Sequence, residues 1–240
     1  MNVFTTGQFA LDQSPSRWGV MCDFDGTITR VDVTDWLLSH YGLPGCDELE
    51  VAWRNGGIGS RECMGGQIAL LDASQEEVDA LLDDIEIDPE FVTFVRFLQA
   101  QGSPVQIVSD GLDYAINRIL HRHGVHGLPV FANRLERVGE RRWALHFPYG
   151  DPRCIKGAGH CKCATLSEQQ RGWRNTLYVG DGASDFCVSG KVDLVLAKGK
   201  LIDHCRAQGI AHEAISGFAE ALALCRTLFA PAVLAEVATP

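Results

Sequence analysis

The chain has 240 residues, 46% of them hydrophobic and 22% charged, an ordinary globular composition that buries roughly 70–75% of its extended surface without disulfides or a structural metal. Lys and Arg number 21 against 31 Asp and Glu, a net charge of -10, which argues against nucleic acid or an anionic membrane as partner because both call for a basic face. No run of about 18 uncharged apolar residues occurs, so no bilayer span is expected.

Residues 1–18 have neither a basic start nor a continuous apolar stretch, so no secretory signal is expected and the cytoplasm is the expected location. The nine cysteines, an odd count, then read as reduced thiols rather than a disulfide framework. Trp18–Cys22 predicts a short apolar strand running into Asp23-Phe24-Asp25-Gly26-Thr27. Next come three or four short helices, at Asp35–Tyr41, Asp47–Asn55, Arg61–Leu71 and Ser74–Leu82, the last with Ser74 as cap and Glu77 three residues on. Residues 33–83 are thus expected to form a small helical cap inserted after the first strand. Residues 1–32 and 84–240 are left as the core, which the acidic run Asp83–Asp88 rejoins as a solvated linker.

The core resumes with a helix at Glu90–Gln101, a strand at Val105–Ser109 and a helix at Tyr114–His123. Gly139-Glu140 between Leu135–Val138 and Trp143–Phe147 signals a β-hairpin. A helix at Cys163–Gln170, strands at Thr176–Gly180 and Val192–Ala197 and a closing helix at Phe218–Leu228 follow, and the proline-broken tail 230–240 is expected to be mobile. Strands alternating with helices predict an α/β fold, a Rossmann-like parallel sheet with helices on both faces. Ligands in such sheets bind outside the carboxyl ends of the strands, where the polar clusters of this chain fall.

Asp23 and Asp25 stand at i and i+2 after a strand, and Gly26 permits a sharp exit. Close carboxylates repel unless a cation or a shared proton resolves them. Mg²⁺ suits the pair, because it needs only one or two carboxylates and keeps sites for water and substrate phosphate. One carboxylate can then attack phosphorus, and the other can protonate the leaving oxygen and later deprotonate water. Ser109-Asp110-Gly111 offers a hydroxyl and a backbone N–H at a strand end, suited to the oxygens of a phosphate. Lys162, opening a helix, can neutralise both phosphate and crowded aspartates. In Gly180-Asp181-Gly182-Ala183-Ser184-Asp185, Asp181 would complete the metal site, and Asp185 would anchor the loop or a water behind it. Each cluster alone could be a turn or a surface residue; all four in this order point to phosphoryl transfer.

The set resembles the haloacid-dehalogenase-like phosphatase superfamily, and within it the phosphoserine-phosphatase-like group with a helical cap between the first two motifs. The resemblance spans about residues 18–200. It implies Asp23 as nucleophile and Asp25 as acid/base, with Ser109 as the second-motif serine. Gly159-His160-Cys161-Lys162 corresponds to the Gly-x-Cys-Lys form of the third motif, and Asp181 and Asp185 to the fourth. It further implies Mg²⁺ on Asp23, the main-chain carbonyl of Asp25, and Asp181. Phe131–Leu135 is also similar to a segment of phosphoserine phosphatases.

Departures bear on substrate. Ser184 replaces the asparagine usual in phosphoserine phosphatases, and the cap arginine that grips a serine carboxylate falls at Gly65, with Arg61 one turn earlier as a possible stand-in. Asp32 sits at the acidic cap position that meets an amine. The approach Cys154…Cys161-Lys162-Cys163 instead resembles the 2-hydroxy-3-keto-5-methylthiopentenyl-1-phosphate phosphatases. The expected function is therefore a Mg²⁺-dependent phosphomonoesterase acting on a small phosphorylated metabolite, with phosphoserine as an alternative substrate and a phosphomutase or a non-catalytic regulatory protein as alternatives of another class. Cys154, His160, Cys161 and Cys163 lack the paired spacing of a zinc knuckle. Trp36, Trp53, Phe91, Phe94 and Phe97 are expected to pack in the core or cap.

Overall fold

The architecture comes from a computed structural model that describes residues 16–154 and 156–229; the tail expected to be mobile, 230–240, lies outside the described residues. Strand β1 (Ser16–Cys22) is followed by α1 (Val33–Tyr41), α2 (Cys46–Arg54), α3 (Ser60–Ala69), α4 (Gln75–Asp83) and α5 (Phe91–Ala100). Then come β2 (Val105–Leu112), α6 (Asp113–Arg122), β3 (Val130–Arg137), β4 (Trp143–His146) and α7 (Lys162–Gln169). The chain continues through β5 (Trp173–Gly180), α8 (Phe186–Ser189), β6 (Leu194–Ala197), α9 (Gly199–Gln208), β7 (His212–Ala214) and α10 (Phe218–Leu228).

The strands form one sheet in the order β4-β3-β2-β1-β5-β6-β7, in which every pairing is parallel except β3 with β4. Central strands of a parallel sheet are covered on both faces and so read as continuous apolar runs. Accordingly Val20, Met21 and Cys22 of β1 and Leu177, Tyr178 and Val179 of β5 are all fully buried. The chain leaves β1 toward β2 on one side and later enters β5 on the other. That reversal opens a crevice at the carboxyl ends of β1 and β5, the place where such sheets bind ligands.

The helices after β1 form where they are expected, and α4 carries the foreseen capping box: Ser74 Oγ accepts from Glu77 N–H (3.3 Å) and Glu77 Oε2 accepts from Ser74 N–H (2.7 Å). α3 meets the core at its first residue, where Ser60 Oγ donates to Asp110 Oδ2 (2.7 Å) and Arg61 N–H donates to Gly157 O (3.1 Å).

Two expectations need correction, and two strand segments are added. Asp83–Asp88 is not a solvated linker. Ile85 and Ile87 are buried, Thr29 and Ile87 form an antiparallel bridge, and Asp83 and Glu86 pair with Arg118 and Arg122. Asp88 Oδ2 accepts the N–H of Phe218 at the start of α10 (3.1 Å). Alternating acidic and apolar residues there mark an extended edge, not a tether. Trp36 and Trp53 are exposed on α1 and α2, whereas Phe91 and Phe94 are buried against Phe218. Val130–Asn133 adds a parallel segment ahead of the expected hairpin, and β7 extends the far edge of the sheet. No helix among the described residues is long and apolar enough to cross a membrane.

Candidate active site

The carboxyl end of β1 delivers Asp23 into the crevice while its N–H still bonds to Val179 O of β5 (2.9 Å). The chain then folds back on itself, with Phe24 O accepting from the N–H groups of Thr27, Ile28 and Thr29. Gly26 makes this turn at φ +70°, and a Cβ there would lie 2.6 Å from Asp181 Oδ2. Both the backbone conformation and the space therefore demand glycine. Thr27 Oγ1 donates to Asp181 Oδ1 (2.9 Å), and Lys198 Nζ donates to the carbonyls of Gly26 (3.0 Å) and Thr27 (2.8 Å).

Asp23 is 4% exposed. Its Oδ1 accepts from Phe24 N–H (2.8 Å), and its Oδ2 lies 2.8 Å from Lys162 Nζ. Lys162, 2% exposed, also reaches Asp185 Oδ1 (2.7 Å) and Ser184 Oγ (3.2 Å). A lysine at the first residue of a helix opposes the helix dipole, so these two carboxylates must hold it there. Burial works against its charge, yet Asp185 and Asp23 raise its pKa above the ordinary lysine value. Asp185 is saturated: Oδ1 accepts from Lys162 and from the Tyr178 hydroxyl, and Oδ2 accepts from the N–H groups of Asp181 (2.9 Å) and Gly182 (3.1 Å). Despite full burial, the Lys162 charge leads the contacts that hold its carboxyl below the usual range.

Asp25 faces the other way. Its Oδ1 accepts from Val33 N–H at the start of α1 (2.9 Å), and its Oδ2 is 3.4 Å from Ser109 Oγ. Burial, then the charge of Asp32, pushes the Asp25 carboxyl up to about 8, the range a proton donor to a leaving group needs near neutral pH. Gly111 N–H donates to Ser109 Oγ (3.0 Å), and a Cβ at Gly111 would collide with Asp25 Oδ2. Ser109, Gly111 and Asp25 are thus built as one wall.

The residues the sequence points to are brought together, and two of them, Asp110 and Asp32, also carry structural contacts. Asp110 spends its carboxylate on protein donors. Its Oδ1 accepts from His160 N–H (2.7 Å) and Asn133 Nδ2 (3.0 Å), and its Oδ2 accepts from Ser60 Oγ, so it ties core to cap. Asp32 caps α1, accepting from Asp35 N–H (3.0 Å), and stands close enough to Asp25 for its charge to act on that carboxyl. Ser184, in contrast, stands between Lys162 and Asp23 (3.5 Å). Arg61 carries its guanidinium 5.5 Å above the Phe147 ring at the seam between α3 and the loop after β4. Thr27 closes the Asp23-x-Asp25-Gly-Thr run, whereas Tyr178 and Lys198 lie outside the motifs read from sequence. Lys198-Gly199 follows a strand just as the other clusters do, a signal that would find it; nothing local marks Tyr178.

Oxygens of Asp23, Asp181 and Asp185 lie within 4.8 Å of one another. Since Asp185 is spent on four donors, Asp23 and Asp181 are the carboxylates left for a cation. Burial raises the pKa of both, the signature of negative charge that its surroundings leave under-compensated. Hard oxygens with surplus charge fit a divalent cation of the Mg²⁺ class. Among the described residues, no second cluster of this kind is found, in the cysteine–histidine stretch or elsewhere. All nine cysteines are free thiols, and both ring nitrogens of His160 are already bonded, Nδ1 to Ser109 O (2.9 Å) and Nε2 to Thr165 Oγ1 (2.7 Å).

A model of the family described as Putative Phosphatase matches residues 19–198. The 2-hydroxy-3-keto-5-methylthiopentenyl-1-phosphate phosphatase of an Exiguobacterium strain is 34% identical over 197 residues, covering 80% of this chain and 90% of the relative. The enzyme of the same name from Lysinibacillus sphaericus is 26% identical over 215 residues, covering 87% and 94%. Among solved structures, a phospho-aspartyl intermediate analogue of phosphoserine phosphatase superposes with a TM-score of 0.68 at 20% identity, over 88% of this chain and 99% of that one. A substrate-bound phosphoserine phosphatase gives 0.66 at 19%, over 87% and 98%.

Proposed function

The chain belongs to the Putative Phosphatase family, within the haloacid-dehalogenase-like phosphatases, and from that premise we propose that it hydrolyses 2-hydroxy-3-keto-5-methylthiopentenyl-1-phosphate through an aspartyl-phosphate on Asp23. The observation that carries the mechanism is the buried contact between Asp23 and Lys162, a nucleophile set beside a fixed cation. What favours this substrate is the name borne by the curated relatives, supported by the Cys154…Cys161-Lys162-Cys163 approach and by a serine in place of the fourth-motif asparagine at position 184.

In this reading Asp23 attacks phosphorus in line with the leaving oxygen, and Asp25 protonates that oxygen and then takes a proton from the water that releases phosphate. Lys162 and the Ser109 hydroxyl, whose lone pair is engaged by Gly111 N–H, face the non-transferred oxygens and neutralise charge as it develops. Mg²⁺ held by Asp23, Asp181 and the Asp25 carbonyl would add Lewis-acid charge neutralisation at the phosphoryl group. Residues 33–83 serve as the cap over a core of 1–32 and 84–240. Its Ser60–Asp110 contact holds the cap against the phosphate-binding wall, excluding bulk water during transfer.

The test is phosphate release with Mg²⁺ from a panel that includes the enolase-type 1-phosphate and phosphoserine. A kcat/KM at least about tenfold higher for the 1-phosphate, roughly 1.4 kcal/mol of transition-state binding, supports the assignment. Preference for phosphoserine would replace it, and absence of turnover with both Mg²⁺ and Mn²⁺ would remove the catalytic reading.

A further inference from the structure

We propose that His160 is a positioning residue for phosphoryl transfer, its imidazole locking the Ser109 end of β2 to the helix that carries Lys162. The proposal rests on the phosphatase reading and adds to it a residue that neither touches the phosphate nor acts as acid or base.

The need for such a lock arises in the sheet. β2 pairs in register with β3 up to Val108–Phe131, and the register then shifts before resuming at Leu112–Asn133. Ser109, Asp110 and Gly111 fall in the shift, which turns Ser109 Oγ and Gly111 N–H onto each other beside Asp25 but takes their backbone out of the ladder with β3. Buried carbonyls without a partner are costly. Side chains supply the partners. Asn133 Nδ2 donates to Asp110 O (2.6 Å), and the His160 ring bonds Ser109 O (2.9 Å).

A carbonyl only accepts, so Nδ1 carries the ring proton, and Nε2 accepts from the Thr165 hydroxyl (2.7 Å) one turn into α7. His160 N–H meanwhile donates to Asp110 Oδ1 (2.7 Å), and Cys161 N–H donates to Tyr149 O (2.9 Å). One buried residue, 2% exposed, therefore joins the second-motif strand to α7 two residues before Lys162. Burial lowers its pKa to about 4, so the ring is neutral at working pH and the single-tautomer bridge is maintained. A displacement of about 1 Å in such a constellation costs on the order of a hundredfold in rate.

The test is a substitution series on the full chain, with kcat and KM measured separately on whichever phosphomonoester the wild type hydrolyses best. His160→Asn keeps a donor where Nδ1 stands, while His160→Leu keeps apolar bulk and loses both bonds. We expect the Asn variant to retain kcat within about fivefold and the Leu variant to lose about thirtyfold or more, with KM within about threefold in both. A residue that merely fills space gives the reverse order. Leu equal to Asn, or a loss confined to KM, overturns the proposal. Ring ¹⁵N NMR of the wild type decides it even if the variants fail to fold: a neutral Nδ1-protonated tautomer at pH 7 is expected, and an Nε2-protonated ring or an imidazolium overturns it. Wild-type silence on every phosphomonoester would instead sink the phosphatase reading, and the NMR result would still show whether the bridge exists.

Discussion

Lys162 Nζ lies 2.8 Å from Asp23 Oδ2, with both side chains almost fully buried. The pair sits where two elements distant in sequence meet, the carboxyl end of β1 and the amino end of α7. An ammonium in that place would be expelled by desolvation and by the helix dipole if the carboxylates did not face it. The same contact sets a positive charge beside the carboxylate proposed as nucleophile, without help from solvent.

Replacing the proposed nucleophile is the most direct test of that geometry. Asp23→Asn preserves shape and the Phe24 N–H contact, and Lys162 keeps Asp185 as a partner. We expect the variant to fold with a near-wild-type circular dichroism spectrum while kcat falls by on the order of 10³-fold or more. Turnover within tenfold of wild type would exclude Asp23 as nucleophile.

Asp185 tests the ionic framework rather than the chemistry. Its carboxylate collects Lys162, Tyr178 and two backbone N–H groups in a fully buried position. Asp185→Asn leaves Lys162 with Asp23 as its one buried counter-charge, and breaking such a pair costs roughly 3–5 kcal/mol. Urea denaturation should show that loss as a lowered midpoint with an unchanged slope. A midpoint shift worth less than about 1 kcal/mol would mean that Lys162 does not depend on Asp185.

Much of this was legible in the chain. Asp23, Ser109 and Asp181 each follow an apolar run short enough for one buried strand, and parallel strands deliver their carboxyl ends to one edge, so spacing alone placed them together. What escaped was whatever depends on a partner far away in sequence. Asp110 looked like a phosphate contact because it lies between Ser109 and Gly111, yet its neighbours in space are Ser60 and His160, 50 residues away on either side. His160 stands in the sequence only as the variable residue of the third motif and as a member of a spacing unlike a zinc knuckle, because its bond to Ser109 joins it to a strand end 51 residues away where β2 shifts register against β3. Ile85 and Ile87 were masked by the acids that alternate with them.

Metal removal gives a prediction with two readouts. Asp23 and Asp181 are the carboxylates not saturated by protein donors, so chelation should abolish phosphatase activity and Mg²⁺ should restore it. Because an ion bound only by the folded state stabilises it by mass action, saturating Mg²⁺ at about 100 times its Kd should raise wild-type stability by roughly 2.7 kcal/mol. Asp181→Asn should weaken that rise strongly. Equal stabilisation of wild type and variant would place the ion elsewhere.

His160 predicts how stability depends on acid. Burial, which is the largest influence, and the positive charge of Lys162 lower its pKa from the ordinary 6.5 to about 4, while Asp110 and the carbonyls of Ser109 and Phe131 act in the opposite direction. In the unfolded chain the imidazole takes its proton near pH 6.5; in the folded protein it resists until about pH 4. Its contribution is therefore fully present above pH 6.5 and is lost as the pH falls from there through 4. The gap corresponds to roughly 3 kcal/mol. Urea midpoints measured at pH 7.5 and pH 4.5 should accordingly fall further in the wild type than in His160→Asn, whose side chain does not titrate. Taking the difference between the two proteins cancels the carboxylates common to both. Parallel profiles would mean that the folded protein holds His160 with an ordinary pKa, and hence that the ring is not sealed between Ser109 and Thr165.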